Sequence, residues 1–163
     1  MGDISKLGKK AEDKIKQWLN RPDEGFFFYR IPDQMTGLFG SVNPCDFFLF
    51  KQPRFFLIES KATWEDRFDF SMITENQHAE MLKASVVNGV ISYVAVLFAT
   101  YKRMFLIDIR DIAKMESEGK KSLNIKKIDK WPTPFIEVRT LLSRKELLDY
   151  DPLHALEIFG STR

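Results

Sequence analysis

An α/β protein, with helices packed against one mixed β-sheet, follows from three features of the sequence. An amphipathic helical pattern opens the chain, apolar β-prone runs recur in pairs around short polar turns, and further helical patterns separate and follow those pairs. With 163 residues, 44% of them hydrophobic, the chain can bury a substantial core but has little room for a second domain. The expected division is a single domain over 1–163, with its core from about residue 5 to 140 and a helical C-terminal extension over about 141–163.

The elements follow in order. Ile4, Leu7, Ala11, Ile15, Trp18 and Leu19 recur at helical spacing, which predicts a helix from about Ser5 to Asn20, ended by Pro22. Lys6, Lys10 and Lys14 lie on its outer face. Phe26 to Ile31 is aromatic and β-prone, a strand. The run Pro32 to Pro44, rich in Pro, Gly, Asn and Ser, is a loop. Asp46 to Phe50 and Phe55 to Lys61 flank Lys51, Gln52, Pro53 and Arg54 as the arms of a β-hairpin. Both arms are apolar on both faces, so the hairpin belongs in the middle of the sheet.

A polar segment, Ala62 to Ser71, leads to a helix from about Thr74 to Asn88 and Gly89. Ser92 to Thr100 and Met104 to Ile107 form another hairpin, and Asp108 caps a helix running to about Glu118. Beyond Gly119 the pattern is broken by Lys and Pro. Phe135 to Val138 reads as a late strand, and Ser143 to Asp149 and Leu153 to Phe159 as helices separated by Pro152.

Composition narrows the function classes. The chain carries 25 Lys and Arg against 23 Asp and Glu, a formal charge of +2, so bulk charge does not identify a nucleic-acid binder. Local distribution differs: in residues 1–21 six cations stand among three anions, and in residues 100–130 nine cations among five. Such stretches are either solvated faces or a phosphate-facing surface. Cys45 is the only cysteine, which excludes an internal disulfide and is best read as a small buried residue. His78 and His154 have no partners at metal-ligand spacing. No apolar signal core opens the chain, and Val90 to Ala99 is about half the length of a membrane helix. The expectation is a cytoplasmic protein with no membrane association, bacterial or, if phage-encoded, in the host cytoplasm.

A hairpin whose loop is symmetric about Gln52 and Pro53 sets Asp46 opposite Glu59. Directly opposed carboxylates repel, and a divalent cation relieves the repulsion. Lys61, two residues on, projects from the same face as Glu59. Two carboxylates to hold Mg²⁺ or Mn²⁺ and a lysine to position a nucleophile or offset charge suit phosphodiester hydrolysis. The alternative is a Glu59–Lys61 ion pair at a strand end, with Asp46 merely beginning a strand. Thr74 and Gln77 also match a helix capping box, which accounts for Gln77 without catalysis, and Glu12 borders the apolar face of its helix, as an ordinary boundary residue does.

Asn43-Pro44-Cys45-Asp46, Ile58-Glu59-Ser60-Lys61 and Phe70-Ser71-Met72-Ile73-Thr74-Glu75-Asn76-Gln77, in that order and spacing, resemble the nuclease core of Holliday junction resolvases of the RecU kind and their phage relatives, within the PD-(D/E)xK superfamily. Gly8-Lys9-Lys10-Ala11-Glu12 resembles that family's first-helix motif. The likeness runs from about Gly8 to Ile112. Cys45 stands where the superfamily motif has proline beside aspartate, and proline supplies no ligand.

The resemblance implies a restriction-endonuclease-like three-layer core and a homodimer making paired, Mg²⁺-dependent nicks in a four-way DNA junction, with no organic cofactor. It puts Asp46 and Glu59 on the metal with the Ser60 carbonyl as a further ligand. Lys61 becomes the catalytic lysine, Glu12 an acidic residue reaching the site from the first helix, and Gln77 a residue orienting water or phosphate. Lys9, Lys10, Ser41 and Asn43 are the expected DNA contacts. Two other functions share these residues: a nuclease for duplexes, flaps or ends, and a non-catalytic junction-binding protein on the same fold.

Overall fold

The computed structural model describes residues 3–33 and 42–160. Helix α1 spans Ile4–Leu19, capped by the Asp3 carboxylate accepting from the Ser5 N–H. Strand β1 (Phe27–Arg30) follows, then the hairpin β2 (Phe47–Lys51) and β3 (Arg54–Thr63). After a short β4 (Arg67–Asp69) comes α2 (Glu75–Ser85), and then β5 (Val90–Phe98), β6 (Arg103–Asp108) and α3 (Ile109–Ser117). The chain continues through β7 (Ser122–Asn124) and β8 (Ile136–Glu137) to α4 (Pro152–Phe159).

Six strands form one sheet in the order β1-β2-β3-β5-β6-β8. The β3–β5 pair is parallel and all other neighbours are antiparallel, so the sheet is mixed. A parallel pair needs a crossover, which β4 and α2 provide. β4 and β7 pair separately as a two-stranded ribbon.

Side-chain alternation sorts the central strands into two cores. Phe56, Ile58 and Ala62 of β3 join Leu97 and Leu106 on the face covered by Leu7, Ala11 and Ile15 of α1 and Phe159 of α4. Leu57 joins Val94, Val96 and Phe105 on the opposite face, beneath Met81 of α2 and Ile112 and Met115 of α3. The three layers are therefore α1 and α4, the sheet, and α2 and α3: the restriction-endonuclease-like core that was expected. Each fully buried Leu, Ile or Phe contributes roughly 1.5–3 kcal/mol, which is why both faces of β3 are apolar up to Ile58.

Three local readings change. The polar segment after Lys61 is not all loop: β3 continues to Thr63 and Arg67–Asp69 forms β4, because its partner β7 supplies the ladder from more than fifty residues away. Residues 143–149 are not helical; Leu147 and Tyr150 are buried, and Tyr150 sets its ring edge-to-face on Trp18 of α1. Packing on α1 outweighs local helix propensity there. Pro152 does not separate two helices but opens α4 at its first position, where its missing N–H costs nothing, behind the Asp151 cap.

Candidate active site at the open half of strand β3

The β2–β3 ladder runs from Lys51 opposite Arg54 to Phe47 opposite Ile58, the register read from the hairpin loop. It stops one pair short of Asp46 and Glu59. The Asp46 N–H turns back to the Ile58 carbonyl at 3.2 Å, and the Asp46 carboxylate accepts the Ser60 N–H at 2.8 Å. A side chain thus replaces the missing strand. From Glu59 to Thr63, β3 is paired only with β5, and its other edge is open.

In an extended strand the N–H and C=O of one residue point the same way. Since the Ser60 N–H meets Asp46, the Ser60 carbonyl also faces the open edge. Glu59 and Lys61 share the side-chain parity of Leu57, on the α2 and α3 face. Asp46 lies just outside β2, its carboxylate at the edge of β3 and its charge acting on Glu59.

Glu59 is 1% exposed. Its Oε1 pairs with the Lys61 ammonium at 2.8 Å and accepts from Gln77 Nε2 at 2.7 Å. Lys61 Nζ also donates to Gln77 Oε1 at 3.3 Å, closing a three-residue network. Gln77 does two jobs at once, because Oε1 accepts the Thr74 N–H while the Gln77 N–H goes to the Thr74 hydroxyl. The capping box is therefore present, and it is what aims the amide at Glu59.

Glu59 Oε2 is buried without a hydrogen-bond partner, a costly state for a carboxylate. Burial, reinforced by the Asp46 charge, pushes the Glu59 carboxyl up to about 7 against the pull of Lys61. Burial likewise pushes Asp46 up to about 6; the Ser60 N–H opposes this and the Glu12 charge adds to it. The orphaned oxygen and the mutual repulsion are what a bound cation would relieve. The donor set is two carboxylates with a main-chain carbonyl beside them. Among the described residues no three His, Cys, Asp or Glu side chains are grouped to hold an ion by themselves. Such a site suits a cation that keeps several waters, as Mg²⁺ does, and not a structural zinc.

The remaining candidates fall at different distances from this centre. Glu12, on α1, has its carboxylate held by Arg30 at 2.8 and 3.1 Å, and its charge raises both Asp46 and Glu59. Arg30 was missed from sequence; the signal was a cation closing the aromatic run of β1. Asn43 braces the approach to the site, donating to the Pro32 carbonyl at 2.7 Å, and its own carbonyl accepts from Asn76 of α2. Lys9 is exposed, and Lys10 pairs with Glu146 at 2.8 Å, both side chains more than half exposed. Ser41 lies outside the described residues. Cys45 is buried beside Asp46, its thiol pushed up to about 12 by burial and by the Glu59 charge, which makes it a poor nucleophile.

The sequence model of one family, Recombination protein U (RecU), matches residues 30–150. The chain belongs to the RecU family. The matched stretch holds Asp46, Glu59, Lys61 and Gln77, and begins at Arg30. Glu12 lies ahead of it. A solved structure of Archaeoglobus fulgidus Hjc, a Holliday junction resolvase from an archaeal hyperthermophile, is similar over 64% of this chain and 78% of that one, with 17% identity and a TM-score of 0.46. No curated protein matches the chain.

Proposed function

We propose that this RecU-family chain is a Mg²⁺-dependent endonuclease of the PD-(D/E)xK superfamily that resolves four-way DNA junctions as a homodimer, Mn²⁺ substituting for Mg²⁺. The observation that carries the reading is the gap in the sheet beside β3. There Asp46 and the Ser60 carbonyl adjoin a buried Glu59 whose Oε2 has no partner, with Lys61 hydrogen-bonded alongside. Family membership supports the choice of branched DNA, since the family is that of Recombination protein U.

Asp46, Glu59 and the Ser60 carbonyl would hold the cation. Bound there, it supplies an acidified water and offsets the charge that builds on the phosphate. The chain's own groups do the rest. Asp46 keeps the gap open by capping the Ser60 N–H, so no strand covers the carboxylates. Lys61, held between Glu59 and Gln77, presents its ammonium to a phosphoryl oxygen or to the attacking water. Gln77 fixes the Glu59 carboxylate through a helix start that is itself capped, so the amide does not wander. Glu12 borders the site from the α1 layer, restrained by Arg30. Lys9, Lys10 and Asn43, with Ser41, are the proposed DNA contacts. A two-fold pair of identical sites suits a junction, whose symmetric strands need cuts at related positions.

The test is cleavage of a synthetic four-way junction beside a linear duplex of the same sequence, with and without Mg²⁺. Paired symmetric nicks in the junction alone are expected. Equal cutting of the duplex would replace the substrate assignment, and binding without cutting in both Mg²⁺ and Mn²⁺ would remove the enzyme.

A further inference from the structure

Three aromatic rings at the outer edge of the sheet stand open to solvent. Side chains of β1 and β2 alternate between the two faces. Phe28, Phe47 and Leu49 turn into the core beneath α1, and Phe28 stacks on Phe47 with 5.2 Å between ring centroids. The residues between them, Phe27, Tyr29, Phe48 and Phe50, therefore face the α2 and α3 side. Those two helices pack on β5 and β6, and their cover does not extend to β1. Phe27 is 62% exposed, Tyr29 48% and Phe50 41%. Phe27 and Phe50 are direct cross-strand partners, so the rings make one patch. Val86 and Val87, both largely exposed, follow α2 at the same end of the sheet, where the Gly89 carbonyl accepts the Phe55 N–H at 2.9 Å.

Size and charge limit what this patch can take. At about 150–250 Å² per aromatic side chain, the three rings leave roughly 300 Å² of apolar surface open, and the two valines enlarge it. A stable interface takes about 800 Å² from each partner, with a core about 65% apolar, so the patch supplies the larger part of one such core. No charged side chain of β1 or β2 shares this face. Arg30 turns to Glu12 of α1, and Lys51 to the Glu24 carbonyl and the Phe26 ring. A DNA backbone draws its affinity from cations, and these strands offer it none here. A two-fold axis brings identical residues together, which repels a charged surface and suits an uncharged one.

We propose that the face formed by Phe27, Tyr29 and Phe50 is where a second copy of this chain docks, ring against ring about a two-fold axis. This rests on the homodimeric nuclease reading and names the surface that pairs its two sites. Glu59 and Lys61 lie on the same face of the sheet. Glu59 stands four strand steps, about 13 Å, from Phe55, the partner of Phe50. Face-to-face packing thus sets the two catalytic centres opposite one another across the axis, one for each symmetric strand of a junction.

The experiment compares the full chain with Phe27→Glu, the milder Phe27→Ala, and Leu142→Glu, a control at a leucine 98% exposed outside the patch. Sedimentation equilibrium over a dilution series, circular dichroism and junction cleavage with Mg²⁺ are measured for each. The parent should be a dimer and Phe27→Glu a folded monomer that makes single nicks in place of paired cuts. Phe27→Ala should weaken the dimer about tenfold or more, and it decides the matter if the glutamate variant does not fold. Leu142→Glu should pair as the parent does; loss of its dimer would place the interface elsewhere. If the folded Phe27 variants dimerise within about twofold of the parent, or the parent is monomeric up to about 0.1 mM, the docking face is wrong, while a parent that cuts keeps the nuclease reading. Dimeric Phe27 variants that lose junction binding would assign the rings to DNA instead. A parent dimer dispersed by Phe27→Glu that cuts no junction with Mg²⁺ or Mn²⁺ would keep the interface and remove the nuclease.

Discussion

The two halves of β3 are one continuous strand with opposite chemistry. From Phe55 to Ile58 it is paired on both sides, and Phe56, Leu57 and Ile58 are buried on both faces; from Glu59 to Thr63 it keeps its partner β5 but loses β2. The first half could not hold an ionised group without a large desolvation cost. The second can, because one main-chain edge is free and a carboxylate stands where the neighbouring strand would be. The lesson is that a sheet makes room for charge by ending a neighbour, not by loosening the strand that carries it.

Exchanging charge for an isostere in the open half is the strongest way to break this comparison. Glu59→Gln and Asp46→Asn should each lower junction cleavage by about a thousandfold or more while leaving metal-free junction binding intact. Unchanged cleavage in either variant removes the site. In the closed half the same strand should respond only in stability: Phe56→Ala, emptying a fully buried position, should cost about 3–5 kcal/mol in chemical denaturation. A smaller effect there would mean the closed half is less well packed than its burial implies.

Lys61→Ala should cut cleavage by about a hundredfold. Gln77→Ala should lose about tenfold in rate, within the range for groups that aid proton transfer or positioning, together with about 1 kcal/mol of stability from the lost cap. Thr74→Ala separates the two jobs, because it removes a cap bond and leaves the Gln77 amide on Glu59. Should Thr74→Ala slow cleavage as much as Gln77→Ala, the amide acts only through the helix start.

The smallest effect is a stability shift with pH. Asp46 and Glu59 sit at about 6 and about 7 in the fold, above the range of exposed carboxylates. Between about pH 4 and 7 the folded chain then holds more protons than the unfolded one, so stability falls as pH rises through that window. The metal-free protein should therefore lose stability from this coupled pair between pH 5 and 8, and Glu59→Gln should lose less. Cleavage should rise over the same interval, as the carboxylates become free to bind the cation. A metal-free protein that gains stability from these groups on going to pH 8 would contradict the burial argument.

Much of the fold and the centre of the site could be read along the chain. The unbroken apolar runs of β3 and β5, the helical stripe of α1 and the caps at Thr74 and Asp108 are local, and local sterics and hydrogen bonding set them. The register of the β2–β3 hairpin follows from its short loop, and the period of the strand gives Glu59 and Lys61 one face. What the chain could not tell was settled by partners distant in sequence. The ribbon at β4 exists because β7 returns to it, residues 143–149 give up their helix to pack on α1, and Lys10 finds Glu146. The start of β2 one residue after Asp46, the hold of Arg30 on Glu12 and the double use of Gln77 arise in the same way. Each is decided by which surfaces meet after the layers close, and no propensity or period within one segment carries that information.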